Sequence, residues 1–242
     1  MKIKNLIIFI TFIWLLSACT GDAYTQLQLA SSRGEVELTK EILAQGADIN
    51  ETNKHNKTAL MLAAGNGRLE VTKLLLENKA TIDAQDIDGM TALMMAASDG
   101  KTETVSLLVQ QGANVNITNN YGATAITNAA FFNHPESLKA ILASSQKVNT
   151  DTNENALLIA AGLGLEKVIS LLLDYGVDVN AKGKNGRTAL MAAVEFNHLN
   201  TVKLLLKNQA DPNVKDTDGE SIKMIAKDKG NTDIIALLGK SN

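Results

Sequence analysis

The sequence predicts an all-α fold built from stacked helix pairs, and three observations carry that reading. The segment Thr58-Ala-Leu-Met-Leu-Ala-Ala returns 33 residues later as Thr91-Ala-Leu-Met-Met-Ala-Ala, with weaker copies starting at Thr25, Thr124, Asn155, Thr188 and Ser221. Within a copy, apolar residues recur at helical spacing in two blocks: Leu60, Leu62, Ala63 and Ala64 form one stripe, and Val71, Leu74, Leu75 and Leu76 form another. Nine residues after each start stand Gly34, Gly67, Gly100, Asn133, Gly164, Asn197 and Gly230, the two residue types that enter the left-handed conformation most cheaply and so stop a helix. Each copy therefore reads as helix, tight turn, helix, long loop. A unit of this length cannot bury its own apolar face, so it is stable only when stacked into an elongated solenoid, whose broad surface usually binds something.

Taken in order, the chain opens with Lys2 and Lys4 ahead of an apolar run from Leu6 to Leu16. That run is short for a membrane span and suited to the core of a secretory signal. It ends in Leu16-Ser17-Ala18-Cys19, which resembles the lipobox of bacterial lipoproteins. The resemblance implies cleavage before Cys19, diacylglyceryl modification of the Cys19 thiol and acylation of the new amino terminus. Residues 1–18 are then a signal peptide and 19–24 a short tether. Cys19 is the single cysteine in the sequence, which excludes an intramolecular disulfide. Two or three acyl chains on one residue give a stable anchor, where one alone is marginal. The tether from Thr20 to Tyr24, at about 3.3–3.6 Å per residue, would hold the first copy within roughly 20 Å of the bilayer.

From residue 25 the copies tile as 25–57, 58–90, 91–123, 124–154, 155–187, 188–220 and a terminal cap, 221–242. The loop after the second helix has its own pattern. Ala47-Asp48-Ile49-Asn50, Ala113-Asn114-Val115-Asn116, Val177-Asp178-Val179-Asn180 and Ala210-Asp211-Pro212-Asn213 supply short polar side chains that bond to loop backbone. Turn signals follow at Asp88-Gly89, Tyr121-Gly122, Asn185-Gly186 and Asp218-Gly219, as expected of a projecting, hairpin-like loop. The next Thr or Ser then caps the following helix.

These segments resemble ankyrin repeats. Thr58-Ala59-Leu60-Met61 and Thr188-Ala189-Leu190-Met191 stand where that family has Thr-Pro-Leu-His, and the Gly-Ala-Asp-Ile/Val-Asn loop is nearly verbatim at Gly46–Asn50. The departures are informative. Ala replaces the family Pro at Ala59, Ala92, Ala125, Ala156 and Ala189, which keeps a good helix former. The copy at 124–154 is two residues short, and its loop Thr150-Asp151-Thr152-Asn153-Glu154 lacks the turn Gly, which predicts a blunted or distorted finger. In the last copy Lys223 and Lys227 replace the usual Leu and Ala, where packing on a further repeat would bury charge.

Charge narrows the partner class. The whole chain has 23 basic and 26 acidic residues, and loss of Lys2 and Lys4 with the signal would move the net charge from −3 to −5. A moderately acidic chain with no basic stripe does not read as a nucleic-acid binder. No second apolar stretch of spanning length follows the first. Thr20 occupies the position where some bacteria read Asp as an inner-membrane retention signal, so the lipoprotein resemblance implies the outer membrane.

Candidate chemistry is sparse. His55 lies in a loop, while His134 and His198 occupy equivalent positions after the turn Asn, where ankyrin repeats often use His to bond turn carbonyls. Gly162-Leu163-Gly164 lacks the preceding strand and downstream Lys-Ser/Thr of a phosphate loop. Asp86-Ile87-Asp88-Gly89 lacks the closing Glu of a calcium loop, because Ala97 and Ser98 fall there. No catalytic residue, metal, cofactor or small-molecule substrate is assigned.

The family resemblance implies that partner contacts come from the fingers and from the two residues before each turn Gly or Asn. Here those pairs include Phe131-Phe132, Gly162-Leu163 and Glu195-Phe196. Large apolar groups at positions that face solvent, rimmed by charge, read as a protein-binding surface. The expected contact set is Phe131, Phe132, Leu163 and Phe196, with Met90 and Tyr121 from the fingers and Lys54, Lys57, Lys184 and Arg187 at the ends. Phe132, Leu163 and Phe196, with Tyr121, are expected to line one strip of the concave face. The sequence thus reads as a lipid-anchored, periplasm-facing module that binds another protein, as an inhibitor or immunity protein or as a scaffold for a resident envelope enzyme.

The address is testable by one substitution. Cys19→Ser should leave an uncleaved precursor that incorporates no labelled palmitate while the repeats stay folded; labelling that persists would contradict the lipoprotein reading.

Overall fold

The computed structural model describes residues 25–144, 146 and 148–239; the signal-like segment and Cys19 lie outside the described residues. Among the described residues there are fourteen α-helices in seven antiparallel pairs and no strand, only an isolated bridge between Lys215 and Ser221. They fall into two compact units, the first ending at Gly122 and the second beginning at Ala123. The first holds α1 (Gln26–Arg33), α2 (Val36–Ala44), α3 (Ala59–Gly65), α4 (Leu69–Glu77), α5 (Ala92–Ser98) and α6 (Thr102–Gln110). The second holds α7 (Ala125–Phe131), α8 (Pro135–Leu142), α9 (Thr150–Gly162), α10 (Glu166–Asp174), α11 (Ala189–Glu195), α12 (Leu199–Lys207), α13 (Ile222–Asp228) and α14 (Thr232–Gly239).

Six of the seven first helices, all but α9, begin at a predicted cap. The side chains of Thr25, Thr58, Thr91, Thr124, Thr188 and Ser221 accept from the backbone N–H three residues on, satisfying an orphan donor of the first turn. Most first helices are only seven residues long, far too short to persist alone. Their stability comes from burial: Ala59, Leu60, Met61, Ala63 and Ala64 are all essentially inaccessible, as are Ala92, Leu93, Met94, Ala96 and Ala97 in the next copy. The alanines let α3 pack closely on both α1 and α5, and in the second unit α9 packs in the same way between α7 and α11. The second helices form a parallel layer, α2 to α4 to α6 in one unit and α8 to α10 to α12 to α14 in the other. Leu75, Leu108, Leu138, Ile169, Leu172 and Leu205 fill the space between layers, each contributing about 1.5–3 kcal/mol of burial.

The turn inside each pair closes as the sequence predicted. Gly34, Gly67, Gly100, Gly164 and Gly230 all have φ between 63° and 83°, and Asn133 and Asn197 have φ 58° and 60°. α2, α4, α6, α8 and α10 start without a side-chain cap hydrogen bond; Glu37, Glu70, Glu103, Glu136 and Glu166 sit in their first turns, where a carboxylate complements the helix dipole.

The short copy departs from expectation. Its loop is not a blunted finger: Thr150–Glu154 is helical and α9 runs for 13 residues through Asn155, the nominal start of the next copy. Losing two residues and the turn Gly removes the means of reversing the chain, and the remaining polar residues extend the following helix instead. In the last copy Lys223 and Lys227 are exposed.

Helix-turn conformation and side-chain type are linked quantitatively. Gly67→Val should lower stability by more than about 1 kcal/mol, since a β-branched residue fits positive φ poorly. Gly67→Asn should be much milder, because Asn133 and Asn197 hold the same turn. Gly230, where an added Cβ would meet nothing within 4 Å, should show the same contrast free of crowding; urea melts of the four variants check this.

Candidate partner-binding surface

Within the second unit, Phe132, Leu163 and Phe196 follow directly on the first helices α7, α9 and α11, each as the helix C-cap. Their helices pack in sequence, so the three side chains stand at one level on adjacent elements. All are exposed, at 52%, 43% and 60% respectively. Phe131 is exposed beside Phe132, with ring centroids 5.0 Å apart in an edge-on arrangement. Neither ring fills the core space that the short copy leaves. The Phe196 ring lies over Gly162 of the preceding copy, at 3.6 Å from where a Cβ would sit.

A charged network borders this strip. Arg187 Nη2 donates to Glu195 Oε2 at 2.8 Å, its Nη1 lies 3.7 Å from Glu220, and Lys229 Nζ lies 3.7 Å from Glu195 Oε1. Arg187 is thus engaged by carboxylates within its own unit. Lys184 of the same finger is exposed. The network was legible only in retrospect, as opposite charges at the finger base and the turn of successive copies.

The first unit carries the other expected residues. Tyr121 is 83% exposed at a finger tip and Ile87 is exposed on the finger before it. Met90 is half-buried, and the Asn119 amide donates to its sulfur at 3.3 Å. Lys54 is exposed and Lys57 half-buried. Fingers are joined one to the next by backbone bonds, Ile87 N–H to His55 O at 3.1 Å and Asn120 N–H to Asp88 O at 2.9 Å. The second unit repeats this once, Thr217 N–H to Asn185 O at 3.0 Å. A side-chain ladder lies at the loop base: Asn50, Asp83 and Asn180 accept from the backbone of Thr81, Asn114 and Asp211.

The histidine and acidic motifs resolve into structure. His198 Nε2 bonds the Gly162 carbonyl at 3.0 Å, and Arg68, at the same position of its copy, donates from Nε to the Ser32 carbonyl at 3.0 Å. Both tie a turn to the helix end of the copy before. Asp86 Oδ1 accepts from the Asp88 and Met90 backbones, making a tight turn. Among the described residues no group of three or more His, Cys, Asp or Glu could hold a metal ion, and no helix is long and apolar enough to cross a membrane.

Three matches to the family model described as "Ankyrin repeats (3 copies)" cover residues 9–86, 80–152 and 129–216. The chain belongs to the ankyrin-repeat family. Among solved structures, the ankyrin repeat domain of human ASB11 superposes with a TM-score of 0.76 at 23% identity, over 89% of this chain and 98% of that one. No curated protein matches the sequence. Ankyrin repeats are generally protein-binding modules and typically non-catalytic, and the family match here is to such a module.

Exposure predicts how the strip responds to truncation. Phe132→Ala and Phe196→Ala should each change folding stability by less than about 1 kcal/mol, as exposed positions do, whereas a core Phe would lose about 3–5 kcal/mol. Thermal melts separate the two outcomes.

Proposed function

We propose that this ankyrin-repeat chain is anchored by lipid at Cys19 in a bacterial envelope, faces the periplasm, and captures another protein there as an inhibitor or immunity protein. The observation that carries the binding half is the strip of Phe132, Leu163 and Phe196: three large apolar side chains exposed at one register of successive, tightly packed copies. Soluble surfaces seldom keep such a patch without a use. The scaffold below it is well packed, so the side chains are held in place before binding, which limits the entropy lost on association. The address rests on the order of Lys2, Lys4, the apolar run to Leu16, and Ser17-Ala18-Cys19.

Capture and inhibition are tested together. The lipidated chain should retain one envelope or incoming protein from a detergent extract, and the purified complex should have lost that protein's activity. Phe196→Ala should weaken retention at least tenfold, in keeping with about 2 kcal/mol or more for a buried aromatic anchor. A partner that stays fully active in the complex would assign a scaffold role instead. Hydrolase activity of the purified chain alone would contradict the binding reading.

A further inference from the structure

The finger at 182–187 lacks an oxygen that other fingers supply for themselves. In three of them one side-chain oxygen closes the turn. Asn53 Oδ1 accepts from the backbone N–H groups of His55 and Lys57 at 2.9 and 3.0 Å, and Asp86 Oδ1 from those of Asp88 and Met90 at 3.0 and 2.8 Å. Asp216 Oδ1 accepts from Asp218 and Glu220 at 3.1 and 2.8 Å. The equivalent position at 183 is glycine.

The backbone nevertheless keeps the same turn. Gly183 N–H donates to Arg187 O and Gly186 N–H to Gly183 O, both at 2.9 Å, as Asp86 does to Met90 O at 3.0 Å and Gly89 to Asp86 O at 2.9 Å. Gly186 has φ 70° where Gly89 has φ 77°. The N–H groups of Asn185 and Arg187 therefore aim at the place that Asp86 Oδ1 fills in its own finger, and neither donates to an acceptor among the described residues. Leu158 of α9 shows why the chain leaves this place empty of its own oxygen: its Cδ2 lies 2.7 Å from where a Cβ on Gly183 would sit, too close for both. With Asn185 exposed and Arg187 half-buried, an oxygen can arrive from outside the chain.

The short copy adds a third donor. Ile87, Asn120 and Thr217 each donate a backbone N–H to the finger before. Lys184 holds the same position, but the finger before it is replaced by the start of α9, and its N–H also has no acceptor among the described residues. Charge agrees with these donors. Lys182 and Lys184 are exposed and form no ion pair among the described residues. Arg187 is held by Glu195 and Glu220, and Asp216 Oδ1 by its own turn, so the positive charge open to a ligand is that of the two lysines.

We propose that residues 183–187 form an oxyanion seat for a carboxylate of a bound partner protein, one oxygen accepting from the N–H groups of Asn185 and Arg187, with Lys182 and Lys184 supplying the counter-charge. The other fingers identify the ligand: they place an Asp or Asn side-chain oxygen at this point, and the lysines favour the ionised one. Backbone N–H groups fixed by a turn are a ready-made concavity for an anion. That the carboxylate belongs to a protein rests on the capture reading above; the seat itself is tested without the partner.

The test is titration of the full chain, ¹⁵N-labelled in detergent, with the blocked tripeptide acetyl-Gly-Asp-Gly-amide, followed by amide NMR. The Asn185 and Arg187 amide protons should move downfield and saturate at neutral pH, and the shift should vanish as the peptide carboxylate protonates, near its ordinary pKa of about 3.9. The Asn counterpart of the peptide should bind several-fold more weakly, as should the Asp peptide to Lys182→Ala/Lys184→Ala, whose exposed positions leave the fold intact. In Leu158→Ala/Gly183→Asp the chain's own carboxylate should take the seat, and the peptide should no longer move either amide. Amides that do not respond, Asp and Asn peptides that bind equally, or inorganic phosphate that saturates the two amides where the Asp peptide does not would overturn the proposal. Capture of a partner through Phe196 alongside silent Asn185 and Arg187 amides would leave the apolar strip standing and overturn only the seat.

Discussion

Everything in this structure depends on the burial of one alanine-rich face of a very short helix against its neighbours. A seven-residue helix is unstable in water because nucleation costs more than so few hydrogen bonds return. Ala59, Ala63, Ala64 and their counterparts remove that problem by letting the next helix approach until Leu60, Met61 and Leu75 are wholly buried. Stability is then a sum over neighbouring interfaces, and no copy stands without the one beside it. The same arrangement frees the residues just past each helix end. Phe132, Leu163 and Phe196 contribute little to the core, so their identity is open to be set by what they touch outside.

Copies are also joined at the turns and fingers. Arg68 and His198 reach back to carbonyls at the end of the preceding first helix, and they do so across Gly34 and Gly164, whose missing side chains leave room. Three of the finger-to-finger steps add a backbone bond, to the carbonyls of His55, Asp88 and Asn185. Where two residues are missing, from 124–154, the finger is replaced by an extension of α9, and the helix stack continues through α7, α9 and α11 unbroken. The stack tolerates the loss because its contacts come from Leu157, Ala160 and Ala161, which lie beyond the altered loop and are fully buried.

Most of the fold was legible because one period carries three independent signals. A Thr cap, an Ala-rich stripe and a Gly or Asn stop fall at fixed offsets, and each is local chemistry that a sequence states directly. The helical conversion of Thr150–Glu154 was not legible, because residues such as Thr, Asp and Asn favour loops by propensity and only the geometry of the shortened connection overrides it. The exposed strip was legible as apolar residues at a solvent-facing register. The engagement of Arg187 and the half-burial of Met90 were not, since both follow from contacts between neighbouring copies: Arg187 with Glu195 and Glu220, Met90 with Asn119. Position within a repeat says which way a side chain points; it does not say what the adjacent repeat has placed there.

The central claim is that a partner protein is held on the register of Phe132, Leu163 and Phe196, away from the layer of second helices. Site-specific photo-cross-linking in living cells addresses it most directly, with a benzoylphenylalanine side chain placed in turn at Leu163, at Phe196, and at the exposed second-helix positions Lys139 and Lys203. The account predicts one discrete cross-linked protein from Leu163 and Phe196 and none from Lys139 or Lys203. A product formed from Lys139 or Lys203 while Leu163 and Phe196 stay silent would contradict it.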